Sequence, residues 1–207
     1  MRILMALVVL IAFTACDQGG SASTETPGGD SVKSTEGFTT QEVPGSQATY
    51  LSRIDRAGNI LEEGFQMNGQ RYGSWVTYHP GSKIPKNMTS YVEGKANGLY
   101  LEFNERGQMS MRADYQNNKL HGYWAKYRFG RPTMEANYLN GELHGTVFEY
   151  DIGTGAVQKE ITYKNGVLDG PYRFYNEEGR VTIEYMYKNG KKISGGAVNS
   201  DGLNQPR

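Results

Sequence analysis

Three glutamates, Glu135, Glu160 and Glu184, recur at one position of a repeating pattern, and two histidines, His121 and His144, share another. Paired carboxylates are the groups used in glycoside hydrolysis, where inverting chemistry needs a gap of about 6.5–9.5 Å. Histidines on adjacent repeats are, in the same way, the beginning of a metal site. Neither set is completed by its surroundings. The glutamates are expected on the polar face of a sheet, with no cleft to raise the pKa of one against another. The histidines stand where other repeats carry Tyr72, Asn97 and Asp169, a set of turn-tolerant residues, and no third ligand or supporting partner accompanies them. His79 precedes Pro80-Gly81 and reads as a turn residue. No nucleophile elbow, phosphate-binding loop or zinc motif occurs, so the sequence nominates no catalytic residue, metal or cofactor.

The other residues able to do something chemical are aromatic. One column, Tyr78, Phe103, Tyr127, Tyr150 and Tyr175, lies five residues after Gly73, Gly98, Gly122, Gly145 and Gly170. This column is expected to fill the core. A second column lies two residues after the same glycines, at Trp75, Tyr100, Trp124 and Tyr172, with Val147 interrupting it. An offset of three residues puts it on the opposite face of a regular strand. It is therefore expected to be the less buried ladder, a recognition surface for a glycan or a protein segment.

The positioning elements follow from the spacing. Every 23 to 25 residues the chain repeats an aromatic, a tight turn, a glycine and two more aromatics, as in Tyr138-Leu139-Asn140-Gly141-Glu142-Leu143-His144-Gly145-Thr146-Val147-Phe148-Glu149-Tyr150. Apolar side chains alternate before each leading aromatic, at Met109, Met111, Ala113 and Tyr115, then Met134, Ala136 and Tyr138, then Val181, Ile183, Tyr185 and Tyr187. That period of two is the strand signal. Asn68-Gly69, Asn117-Asn118, Asn140-Gly141, Asn165-Gly166 and Asn189-Gly190 suit two-residue hairpin turns, while Gly58, Gly81, Gly107, Gly130 and Gly179 close the opposite ends. The expected fold is all-β, an elongated, curved antiparallel meander of about twelve strands with no helix to cover it.

The Gly-punctuated aromatic unit, with its Asn-Gly-x-Leu-His-Gly core at 140 to 145, resembles the MORN repeat over roughly residues 60 to 196. It is most similar to the bacterial variant labelled antitoxin-like. The resemblance implies stacked β-hairpins and leaves function loosely defined.

The remaining boundaries come from composition. Residues 1–15, with an apolar run from Ile3 to Phe13, read as a signal peptide too short to span a bilayer. Cys16, the only cysteine, resembles the lipidated residue of a bacterial lipoprotein box. Residues 16–49 are rich in Gly, Ser, Thr, Glu and Pro, and are expected to be a disordered tether reaching about 30 Å. The repeat domain is assigned to 50–198 and a disordered tail to 199–207. Lys plus Arg equals Asp plus Glu at 22 each, with signs interspersed, which argues against a nucleic-acid partner.

These features together predict an exported protein of the bacterial cell envelope, lipid-anchored and non-enzymatic, that binds an envelope protein or cell-wall glycan. The choice between inner and outer membrane stays open. Two alternatives remain beside it, an antitoxin-like or immunity-type inhibitor of a toxin, and a glycan-processing enzyme of the cell wall. Unpaired edge strands also allow a dimer.

Overall fold

The computed structural model describes residues 36–198, which form one antiparallel sheet without any helix. In chain order its strands are β1 (Thr39–Glu42), β2 (Ala48–Ile54), β3 (Ile60–Met67), β4 (Gln70–Tyr78) and β5 (Pro85–Val92). There follow β6 (Lys95–Phe103), β7 (Met109–Gln116), β8 (Lys119–Arg128), β9 (Arg131–Leu139) and β10 (Glu142–Leu143). The last five are β11 (Gly145–Tyr150), β12 (Val157–Lys164), β13 (Val167–Tyr175), β14 (Val181–Lys188) and β15 (Lys191–Ala197). Each strand pairs with its sequence neighbour, except that β11 bonds directly to β9 and β10 pairs with β9 alone. The sheet is open, with β1 and β15 at its two edges. At 4.7–4.9 Å per strand it extends about 60 Å.

The all-β meander is as expected, but there are fifteen strands rather than about twelve. One addition comes from the break at His144, which separates β10 from β11; the His144 N–H bonds to Asn137 O, and Gly145 adopts φ 97°. A second lies within the stretch assigned to the tether. Thr39–Glu42 pairs with Thr49–Ser52, and Phe38 packs edge-on to Trp75 with ring centroids 6.2 Å apart. The folded domain therefore begins before residue 50, since backbone pairing and one partly buried ring order a segment of polar composition. Cys16, the signal peptide at 1–15 and the tail at 199–207 lie outside the described residues.

Local chemistry sets the zigzag. Both residues of Asn140-Gly141 take positive φ, 55° and 93°, the geometry a two-residue hairpin requires. The Gly141 N–H then donates to Leu120 O of the preceding hairpin, and Gly94, Asn118, Gly166 and Gly190 make the corresponding bond, so one rim of the sheet is a stack of linked turns. At the other rim, Asp55, Asn104 and Asn176 cap five-residue loops. Each side-chain oxygen accepts from the backbone N–H two and four residues on.

The core is a single cross-strand row. Pairing aligns Leu51, Gly64, then Trp75, Thr89, Tyr100, Ala113, Trp124 and Ala136, and Val147, Ile161 and Tyr172 continue it on β11 to β13. Large rings alternate with small side chains, which lets a one-layer sheet bury indole without a second layer. The fit is tightest at Gly64, where an added Cβ would lie 2.4 Å from the Trp75 ring. Residues flanking the row, among them Tyr91, Ala96, Tyr115 and Leu120, complete the buried cluster.

Candidate functional site

The two aromatic columns do lie on opposite faces, but the faces are exchanged relative to expectation. Trp75 is 2% exposed and Trp124 fully buried, while Tyr100 and Tyr172 are partly buried against the same cluster. The expected recognition ladder is therefore the core. Its supports confirm this: Trp75 Nε1–H donates to Phe65 O at 2.7 Å, and the Arg71 guanidinium sits 4.5 Å from the indole and 5.4 Å from the Tyr91 ring. Arg71 is in turn paired with Glu62 at 2.6 Å, and Glu62 also meets Arg53 at 3.0 Å. The two guanidiniums compensate the buried Glu62 carboxylate, while Arg71 Nε stays buried without a partner.

Tyr78, Phe103, Tyr127, Tyr150 and Tyr175, expected in the core, are half-buried on the other face. Each lies at a one-residue irregularity in the ladder, a β-bulge whose extra residue is on the following strand. The tyrosines reach carboxylates fifteen residues earlier: Tyr78 Oη–H donates to Glu63, Tyr150 to Glu135 and Tyr175 to Glu160, each at 2.5 Å. Glu63 also accepts from Tyr50, and Glu135 from Tyr123 at 2.6 Å. In the repeat of Phe103, which has no hydroxyl, the residue fifteen earlier is Met88 rather than a glutamate. In the repeat of Tyr127 the residue fifteen earlier is Arg112, and the Tyr127 hydroxyl meets that of Tyr123 at 3.3 Å instead, so the pairing holds in three of the five repeats. A fifteen-residue Glu-to-Tyr offset was present in the sequence and identifies these pairs.

This geometry explains the glutamate column. Glu135 accepts from two phenols, Glu160 from Tyr175 and Arg173, and Glu184 from Arg173 Nε at 2.6 Å. They serve as anchors for neighbouring side chains, not as an acid–base pair. The hydrogen bond to Glu63, with burial second, pushes the Tyr50 phenol up to about 12; burial first, then the same carboxylate, pushes Tyr78 to about 12. Burial and Glu135 likewise raise Tyr123 and Tyr150. All four hydroxyls are held in the protonated, donating form.

The histidines are not brought together for a metal. His144 Nδ1 contacts Asn165 Oδ1 at 3.0 Å and His79 Nε2 contacts Phe103 O at 2.9 Å. No group of three or more His, Cys, Asp or Glu side chains converges among the described residues.

Two kinds of surface remain. On the core face, the burial of the first hairpins gives way at β12 to β15. Tyr163, Tyr172, Phe174, Tyr185 and Tyr187 are all part-exposed there. Tyr172 stacks on Phe174 with centroids 5.1 Å apart, and lies 6.1 Å from Tyr187. Tyr185 faces Gly195 on the edge strand, and the Lys192 ammonium lies 4.4 Å from its ring. The second surface is the glycine-turn rim, which carries open clefts of about 440 Å³ and 420 Å³ that share Tyr127 and Arg128, and a third of about 380 Å³ beside Tyr78 and Lys83.

No family model matches the chain, and no curated protein matches it. Solved structures with some likeness include a variant of S. aureus TarM in complex with Fondaparinux, alpha-GlcNAc-glycerol and UDP, at 12% identity and TM-score 0.33, covering 46% of this chain and 19% of that one. Another is a crystal structure of TarM, at 12% identity and TM-score 0.34, covering 53% and 21% respectively. The chain spans about a fifth of the length of these proteins, and a likeness at this level carries no functional argument.

Proposed function

We propose that this protein is a non-enzymatic scaffold of the bacterial cell envelope, tethered through lipid on Cys16, that binds an extended cell-wall glycan along its sheet. The single observation carrying the reading is the aromatic platform of Tyr163, Tyr172, Phe174, Tyr185 and Tyr187, part-exposed on an open face beside an edge strand. Part-exposed rings in fixed rotamers offer flat apolar area at low entropic cost, the property that makes aromatics the anchors of interfaces. Of the ladder nominated by the sequence, only Tyr172 belongs to this platform. The similarity of the repeating unit to MORN repeats supports a scaffold role in general terms. The apolar leader, the cysteine and the polar stretch after it support export and tethering.

The test is co-sedimentation of the mature protein with purified cell-wall sacculi. Tyr172→Ser with Tyr185→Ser should abolish pelleting while far-ultraviolet dichroism stays that of the parent. Equal pelleting of parent and variant would remove the platform from the account. Pelleting of neither, with capture of a defined envelope protein dependent on the same tyrosines, would replace glycan by protein as the partner.

A further inference from the structure

The turn Arg128-Phe129-Gly130-Arg131 breaks local rules that its sibling turns obey. Eight non-glycine residues have positive φ among the described residues; six are Asn, one is Glu93, and Phe129, at 53°, is the one apolar member. Asn tolerates this region because its short amide bonds locally, whereas a bulky ring there is strained. The ring is also 65% exposed, so burial does not offset the strain. Arg128 and Arg131 are directly opposite across the hairpin, a like-charge pairing that destabilises it. Lys188 and Lys191 are opposed in the same way, but Lys188 is neutralised by Asp169 at 3.0 Å. Neither arginine makes an ion pair among the described residues: Arg131 donates to Gly153 O at 2.9 Å, and Arg128 lies 5.2 Å from the Phe129 ring.

This turn stands between the two larger clefts of the rim. One is lined by Arg106, Arg128 and Phe129, the other by Lys126, Arg128 and Ile152, with Arg128 common to both. Arg106 and Lys126 are also without a carboxylate partner among the described residues; Lys126 lies over the Trp124 ring at 5.7 Å. Glu105 and Glu102 line the clefts as well, so three cations face two carboxylates there, with Arg131 beside them across the turn from Arg128. Strain and charge repulsion left in place at one turn mark a functional position, not a structural one.

We propose that this rim binds a linear polyanion bearing phosphate groups, threaded through the two clefts, with Arg128 and Arg131 as its principal contacts. Guanidinium forks match phosphate oxygens two at a time. Two concavities joined at Arg128 admit a chain, whereas a bilayer presents a flat surface to which concave ground is ill suited. The site is separate from the aromatic platform, and the two stand or fall independently.

Inorganic polyphosphate is the probe, with binding to the mature protein followed by fluorescence anisotropy at physiological ionic strength. Arg128→Gln with Arg131→Gln should weaken it about tenfold or more, since each charge-assisted contact is worth that order. Lys188→Gln with Lys191→Gln, which removes the same charge from the other rim, should leave it unchanged. Phe129→Asn should raise the thermal midpoint while weakening binding, a combination that a merely structural turn would not show. Absence of polyphosphate binding, equal loss in the lysine variant, tighter binding of single-stranded DNA, or binding confined to vesicles of phosphatidylglycerol would each overturn the proposal.

Discussion

Gly64→Ala is expected to destabilise the sheet, although its backbone conformation is open to alanine. Gly64 is not in the positive-φ region, so alanine should by itself stabilise by about 0.4–1 kcal/mol through the unfolded chain. The new Cβ, however, would lie 2.4 to 2.6 Å from three atoms of the Trp75 ring, against an ordinary contact of about 3.5–4.0 Å. Relief requires the indole to move by about 1 Å or more. The ring is held by its bond to Phe65 O at 2.7 Å and by Arg71, itself fixed by Glu62. Overpacking costs about 1–3 kcal/mol and the weakened hydrogen bond about 1 more, so after the gain from alanine the net loss should be about 1–3.5 kcal/mol. For a domain of this size that is roughly 3–12 °C in thermal midpoint. Urea unfolding of parent, Gly64→Ala, Trp75→Ala and the double variant closes a cycle. Trp75→Ala alone should cost about 3–5 kcal/mol. In its background Gly64→Ala should become neutral or stabilising. If Gly64→Ala matches the parent, or loses as much without the indole as with it, the alternation of ring and glycine is not what packs this row.

Three further outcomes follow from the same packing. Tyr50 and Tyr78 titrate near 12 when folded, against an ordinary 10, so the stability they contribute is complete below pH 10 and is lost as pH rises from about 10 to 12. Tyrosinate absorbance and dichroism followed together should show unfolding in that window, and Glu63→Gln should change the tyrosine titration. Tyr150→Phe should cost about 1–2 kcal/mol by removing a charge-assisted bond to Glu135. Adding Glu135→Met should cost more rather than recover it, because Glu135 also accepts from Tyr123 at 2.6 Å; recovery in urea unfolding would mean that the carboxylate does not anchor these phenols. Trp124→Ala should lower stability by about 3–5 kcal/mol without a direct effect on ligand binding, because its ring is wholly buried. Selective loss of binding by a stably folded Trp124→Ala would restore the ladder as a recognition surface.

The columns also show where sequence reasoning stopped short. Their three-residue offset placed them correctly on opposite faces, but not which face was inward. Hairpin arithmetic decides it. A two-residue turn at Asn117-Asn118 sets Tyr115 opposite Leu120, so the even residues of β8, Trp124 included, share the face of Met111, Ala113 and Tyr115. The inward assignment of that apolar alternation and the burial of the tryptophans are thus one inference, available from the chain. The bulges before Tyr78, Phe103, Tyr127, Tyr150 and Tyr175 are not available in that way, because an extra residue in a ladder depends on the partner strand.

Repetition, alternation and Asn-Gly turns are local properties, and they determined a meander of hairpins without helix. Local signals act between near neighbours, so they specify turn type and strand period regardless of what packs later. The tertiary structure decided what depends on distant pairing: the ordering of Thr39–Glu42 on the first hairpin, the anchoring of the glutamate column by phenols, and the exposure of the last aromatic rings. Burial is a property of neighbours brought together across strands. A composition that reads as tether can therefore become sheet, and a column that reads as surface can become core.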